Sequence, residues 1–207
     1  MTRNEIINKV RVCMDEISPF ENIEVINNPM IDSLLEDTAN DLLLIVPEPE
    51  VAGLLKSMLG LTLSTNTSKG YGHIELPSNF LRAFNLKFSQ WERPVTTFMN
   101  TTDPSYKLQW NKFTMSRGVK PIAYITTLDY EGVYFNRIEY FGMPEASSQT
   151  LDYGSYVNRV TDVGDISDNL IDPLCWLVAS KAFSIIENQQ ASQAAAAKVM
   201  DWIKLRS

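Results

Sequence analysis

The side chains able to do chemistry are few and widely spaced. Glu75, Glu139 and Asp152 fall in the stretch that reads as a β unit. Two carboxylates on neighbouring strands would give the acid/base pair of a carboxylate-dependent hydrolase. His73 is the single histidine; one imidazole cannot build a multi-histidine metal site, and in a strand it reads as a solvated or satisfied residue. Cys13 and Cys175 are too far apart in sequence for a metal knuckle and sit beside apolar neighbours, as small core residues of a reducing compartment do. Asp162, Asp165, Asp168 and Asp172 lack the alternate spacing and closing glutamate of a calcium loop, and read as carboxylates near a helix N-terminus. Gly70-Tyr71-Gly72 is only a turn, and the chain carries no nucleophile elbow, phosphate loop or dinucleotide fingerprint. No cofactor or metal is expected.

A second constellation lies between residues 82 and 120. Arg82, Lys87, Arg93, Lys107, Lys112, Arg117 and Lys120 interleave with Phe84, Phe88, Trp91, Phe98, Tyr106, Trp110 and Phe113. Such interleaving suits single-stranded nucleic acid, where aromatic rings stack on bases. Phe84 and Phe88 lie on an alternating face that needs burial, so core plus protein interface is the favoured reading. Trp91 or Trp110, if exposed, would instead serve a glycan- or peptide-binding module.

These residues must be held by two kinds of element. Thr2 with Glu5 forms a capping box, and Ile6, Val10, Cys13, Met14 and Ile17 follow at helical spacing up to Ser18-Pro19. Asn28-Pro29 opens a second helix, stopped by Pro47 and Pro49. Val51 to Met58 reads as a short third one. Asp172-Pro173 opens a C-terminal run that is apolar nearly all round as far as Ile186, and so central. Unbroken to Leu205, that run would be about 50 Å long, more than the roughly 43 Å width of a compact chain of this size; a break near Asn188 is expected. Between the helices the period changes to two. Strands are expected at His73–Leu76, Phe84–Ser89, Ile122–Leu128 and Val133–Phe141, with a hairpin turn at Asp129–Gly132 and a further strand at Tyr153–Val160. Leu61–Gly70 reads as a loop and boundary, and Pro104–Phe113 as a helical turn or irregular segment.

The expected fold is α+β: a bundle of N- and C-terminal helices (3–17, 29–46 and 173–205) with a small antiparallel β unit inserted. The divisions are 1–70, 71–160 and 161–207. The chain has 207 residues and a net charge of −7, with an acidic N-terminal third and a basic C-terminal end. That balance argues against wrapping nucleic acid. Neither a membrane span nor a signal-peptide core is expected.

The stretch from Tyr71 to Val95 resembles head–tail connector proteins of short-tailed bacteriophages, in particular portal-proximal ring proteins of crAss-like phages infecting gut Bacteroidota. The likeness is carried by Leu76-Pro77, Phe80, Leu81 and Arg82, then by Trp91, Arg93, Pro94 and Val95, and by Pro173–Ser180. The resemblance implies a virion structural protein at the head–tail junction, made in the host cytoplasm. It also implies a homo-oligomeric ring, a dodecamer, beneath the portal and touching other tail proteins, with DNA passing through its lumen at genome ejection and no membrane partner.

On this reading the chain is not an enzyme, and Trp91, Arg93, Lys198, Trp202, Ile203 and Arg206 are its protein-interface residues. Lys198, Trp202, Ile203 and Arg206 lie on a final helix whose Ala194–Ala197 face has little area to bury. The expectation is that the helix docks on a partner, and that removing residues 189–207 leaves a folded protein that no longer assembles.

Overall fold

The computed structural model describes residues 1–17, 26–66, 70–111, 113–130, 133–143 and 149–206, with the side chains of residues 130, 133 and 134 left aside. The fold is mixed α+β, with helices at both ends of the chain and two β sheets. Ser18-Pro19, Thr67–Lys69, Lys112 and the end of the Asp129–Gly132 turn lie outside the described residues. The chain forms two compact units, Met1–Leu54 with Arg159–Ser207, and Leu55–Asn158.

In the helical unit, α1 (Arg3–Ile17) starts with the expected capping box. Thr2 N donates to Glu5 Oε2 at 2.7 Å and Glu5 N to Thr2 Oγ1 at 3.4 Å. The cap of α2 (Asn28–Ile45) is Asn27, one residue earlier than expected, accepting from Met30 N at 3.0 Å. Glu48–Leu54 continues as a 3-10 helix. The C-terminal run is broken into α4 (Ile171–Ile185) and α5 (Gln189–Lys204). Glu187 takes a positive φ of 61°, and Asn188 then caps α5 by accepting from Ala191 N at 3.0 Å. Asp172 is not the cap of α4: the helix begins one residue before it, and its carboxylate pairs with Lys9.

The core of this unit joins Ile6, Val10 and Met14 of α1, Ile31, Leu35 and Leu42 of α2, and Leu174, Val178 and Phe183 of α4, all fully buried. Asn40 is a buried polar tie: its side chain donates to Val160 O at 3.0 Å and to Glu36 O at 2.9 Å, and accepts from Val160 N at 2.8 Å. It fixes the returning chain against α2.

The second unit is larger than the small insertion expected, and residues 55–70 belong with it. Its strands are β1 (Lys56–Ser57), β2 (Leu63–Asn66), β3 (Tyr71–Glu75), β4 (Phe80–Phe88), β5 (Phe98–Asn100), β6 (Ile122–Tyr130), β7 (Val133–Phe141) and β8 (Leu151–Asn158), with a short α3 at Pro104–Leu108. They make a three-stranded sheet, β1-β8-β4, and a five-stranded sheet, β2-β3-β7-β6-β5. All pairs are antiparallel except β5 with β6, which is parallel. The stretch read as a loop at Leu61–Gly70 therefore contributes an edge strand, β2.

Ile74, Ile138 and Tyr140 of the larger sheet pack with Leu86, Phe88 and Tyr156 of the smaller one in a single core. Gly72 is required there, since a Cβ would lie 2.2 Å from Tyr140 Oη and 2.7 Å from Ser64 O.

Candidate functional site

The register of the five-stranded sheet gathers polar side chains on the face away from that core. Residues directly opposite across a ladder share a face. His73 of β3 stands opposite Glu139 of β7, which stands opposite Tyr124 of β6; one step along, Glu75 faces Arg137, which faces Thr126. Ser64 of β2 completes the row with His73. α3 lies over this face because Asp103 caps it, accepting from Ser105 N at 2.8 Å, and Ser105 Oγ bonds Tyr124 Oη at 2.8 Å.

Glu139 is the centre of the cluster, only 3 % exposed. Its Oε2 accepts from Tyr106 Oη at 2.7 Å, and its Oε1 from Arg137 Nε at 2.9 Å and from Arg137 Nη2. A buried carboxylate is tolerated only with such a charged, hydrogen-bonded partner. Burial, with the Glu139 carboxylate beside it, pushes the Tyr106 phenol up to about 12. His73 is lowered from its ordinary value, by burial first and then by Arg137, while Glu75 and Glu139 act the other way.

A cleft of about 280 Å³ opens over these groups, lined by Ser64, Asn66, Tyr71, His73, Trp110, Arg137 and Glu139 among others. Beyond His73 and Arg137 lies a second hollow, with Leu76, Leu128 and Phe135 on its walls.

Of the three carboxylates singled out in the sequence, Glu75 and Glu139 share this face. Asp152 is on β8 of the other sheet, where Ser89 Oγ donates to it at 2.5 Å. The structure thus brings two of the three to one sheet face, one of them already held by Arg137 and Tyr106. Asp162 caps a 3-10 turn at Gly164 N, 2.9 Å away. Asp168 lies 4.0 Å from the N-terminal ammonium. Cys13 and Cys175 are buried free thiols, pushed up to about 11 and about 12 by burial. Among the described residues no group of three or more His, Cys, Asp or Glu is placed to hold a metal ion, and no helix is long and apolar enough to cross a membrane.

The expected interface residues divide. Trp91 is 2 % exposed, its ring 4.9 Å from Phe88 and 6.1 Å from Tyr140. It is a core residue, because the segment after β4 folds back so that Val95 and Leu86 exchange backbone hydrogen bonds at 2.9 Å. Arg93, between them, is exposed. Lys198 is exposed, pairs with Glu16 at 3.3 Å and lies 5.4 Å from the Trp176 ring centre. Trp202 and Ile203 are half-buried. The Arg206 guanidinium stacks 4.2 Å from the Trp202 ring centre and lies 3.5 Å from Glu50 Oε1.

The final helix, expected to be poorly covered, buries Ala191, Ala195 and Val199, and Ser180 Oγ of α4 donates to Ser192 O at 2.9 Å. Its small residues let α4 approach closely.

The basic–aromatic stretch also splits. Lys87 donates to Phe88 O at 3.0 Å and to Trp91 O, so that ammonium is committed inside the unit, and Arg82 stacks 4.4 Å from the Phe84 ring centre. Lys107, Arg117 and Lys120 remain exposed. Between them Leu108 is 52 %, Phe113 92 % and Val119 54 % exposed. The sequence matches no family model and no curated protein.

Proposed function

We propose that the chain is a virion structural protein, a head–tail adaptor that assembles as a ring beneath a portal and acts through protein–protein contacts without catalysis. The observation that carries this reading is the loop after α3. Leu108, Phe113 and Val119 face water beside Lys107, Arg117 and Lys120. A nearly bare phenylalanine in a stretch that also carries exposed cations is the composition of a docking anchor with a polar edge. The loop is built to present it: Thr114 Oγ1 donates to Leu108 O at 2.6 Å and Phe113 N to Asn111 Oδ1 at 3.0 Å. The likeness of Tyr71–Val95 to phage ring proteins supports the same reading, as does the net charge of −7, which suits a duct through which DNA slides without sticking. Arg93, exposed within that stretch, joins the proposed contact set; Trp91 serves by holding the stretch on the core.

The test is the double variant Leu108→Ser with Phe113→Ser, mixed with the portal protein encoded in the same genome. The wild-type chain joins the portal assembly. The variant keeps its thermal unfolding but stays unassembled. Undiminished joining by the variant would remove the loop from the account.

A further inference from the structure

We propose that the cleft over β2, β3 and β7 binds a neutral saccharide, with one sugar ring stacked on Trp110 and its hydroxyls held by Asn66, Arg137 and Glu139. This goes beyond the adaptor reading and does not depend on it. The first argument is the indole. Trp110 is 52 % exposed, yet its ring is gripped edge-on by Tyr71 at 5.1 Å, Phe141 at 5.5 Å and Tyr106 at 6.0 Å. An aromatic plate held in place before any ligand arrives costs little to order on binding. Its electron-rich face attracts the polarised C–H groups of a sugar's flat side.

The second argument is the polar lining. Asn66, Arg137 and Glu139 line the cleft with amide, guanidinium and carboxylate groups, the carboxylate 3 % exposed and bonded through both oxygens to Tyr106 and Arg137, and Ser64 adds a hydroxyl. Such groups match vicinal hydroxyls, which both donate and accept. Glu139 is already fixed by Tyr106 and Arg137, and being buried it makes stronger hydrogen bonds than it would in water. A volume near 280 Å³ lies just below the usual range for small-molecule sites, roughly 300–1,000 Å³, and fits a single ring better than a chain.

Charge selects the class. The Arg137 guanidinium is matched by Glu139, Glu75 adds a carboxylate at the adjoining register, and burial together with Arg137 disfavours a charge on His73. An anionic ligand such as a nucleotide would find no uncompensated cation among these lining groups, whereas a neutral polyol needs none.

The experiment is saturation-transfer difference NMR on the full chain with glucose, galactose, mannose and N-acetylglucosamine, and with AMP as the anionic probe. Transfer is expected to at least one neutral sugar, strongest at the ring protons of one face. It should fall about tenfold in Trp110→Ala. Absence of transfer to all four sugars, stronger transfer to AMP than to any sugar, or full transfer in Trp110→Ala overturns the proposal. Should Trp110→Ala fail to fold, Asn66→Ala on the edge strand decides: reduced transfer supports the site and undiminished transfer overturns it.

Discussion

Asn40 and His73 show how single side chains act at opposite ends of the polarity scale. Replacing Asn40 with Ala leaves the half-buried N–H and C=O of Val160 without this partner. Denaturant unfolding should show a loss of about 1–3 kcal/mol, against a smaller one for Asn136→Ala, which removes a single exposed hydrogen bond accepted from Thr127 Oγ1 at 2.8 Å. His73 tests the polar cleft. Its folded pKa lies below the ordinary value because burial and Arg137 disfavour the charged ring. The unfolded chain therefore takes up the proton first, so stability is full above about pH 6.5 and declines as pH falls through it. The imidazole proton resonances should titrate with a midpoint below 6.5 in the folded protein, and His73→Gln should flatten that part of the pH–stability curve. A midpoint at or above 6.5 would mean that Glu75 and Glu139 outweigh Arg137.

Helices and strands differed in how far the sequence disclosed them. The start of α1 and the break before α5 were legible because both are local: a reciprocal cap, and an asparagine that ends one helix and caps the next. β2 was not, because Leu63-Ser64-Thr65-Asn66 is a polar edge strand with no alternation, defined only by its pairing with β3. The exposure of Trp91 was misread for a related reason: it depends on how two sheets pack, which no local pattern encodes. Glu139 and Trp110 were both visible as candidates, but only the register of β3, β7 and β6 under α3 brings them to one cleft. Glu187 offers a direct test of the break, since a non-glycine residue at positive φ is strained. Glu187→Gly should raise stability by about 1 kcal/mol, measured by the urea midpoint. The truncation at residue 189 now carries a different expectation from the sequence alone. Removing α5 uncovers the faces of α1 and α4 that bury Ala191, Ala195 and Val199. Cooperative unfolding of the helical unit should weaken, and a truncated chain as stable as the full one would show that α5 adds nothing to that core.

For the whole molecule, the proposed role is protein contact rather than chemistry. Trp202, Arg206 and Lys198 are largely engaged within their own unit, through Glu50, Glu16 and each other. The proposed docking surface therefore shifts from the final helix to the loop after α3, where Phe113 is bare and the same stretch of chain carries exposed Lys107, Arg117 and Lys120. The proposed ring would present many copies of a weak anchor, so that multivalency supplies the strength that one phenylalanine lacks. The most direct measurement is the mass distribution of the purified chain alone, of the chain with its portal protein, and of the Leu108→Ser, Phe113→Ser variant with the same portal. The account predicts a discrete complex of higher mass than the portal ring with the wild-type chain, and the bare portal mass with the variant. Portal and wild-type chain remaining separate at every concentration tried would contradict it.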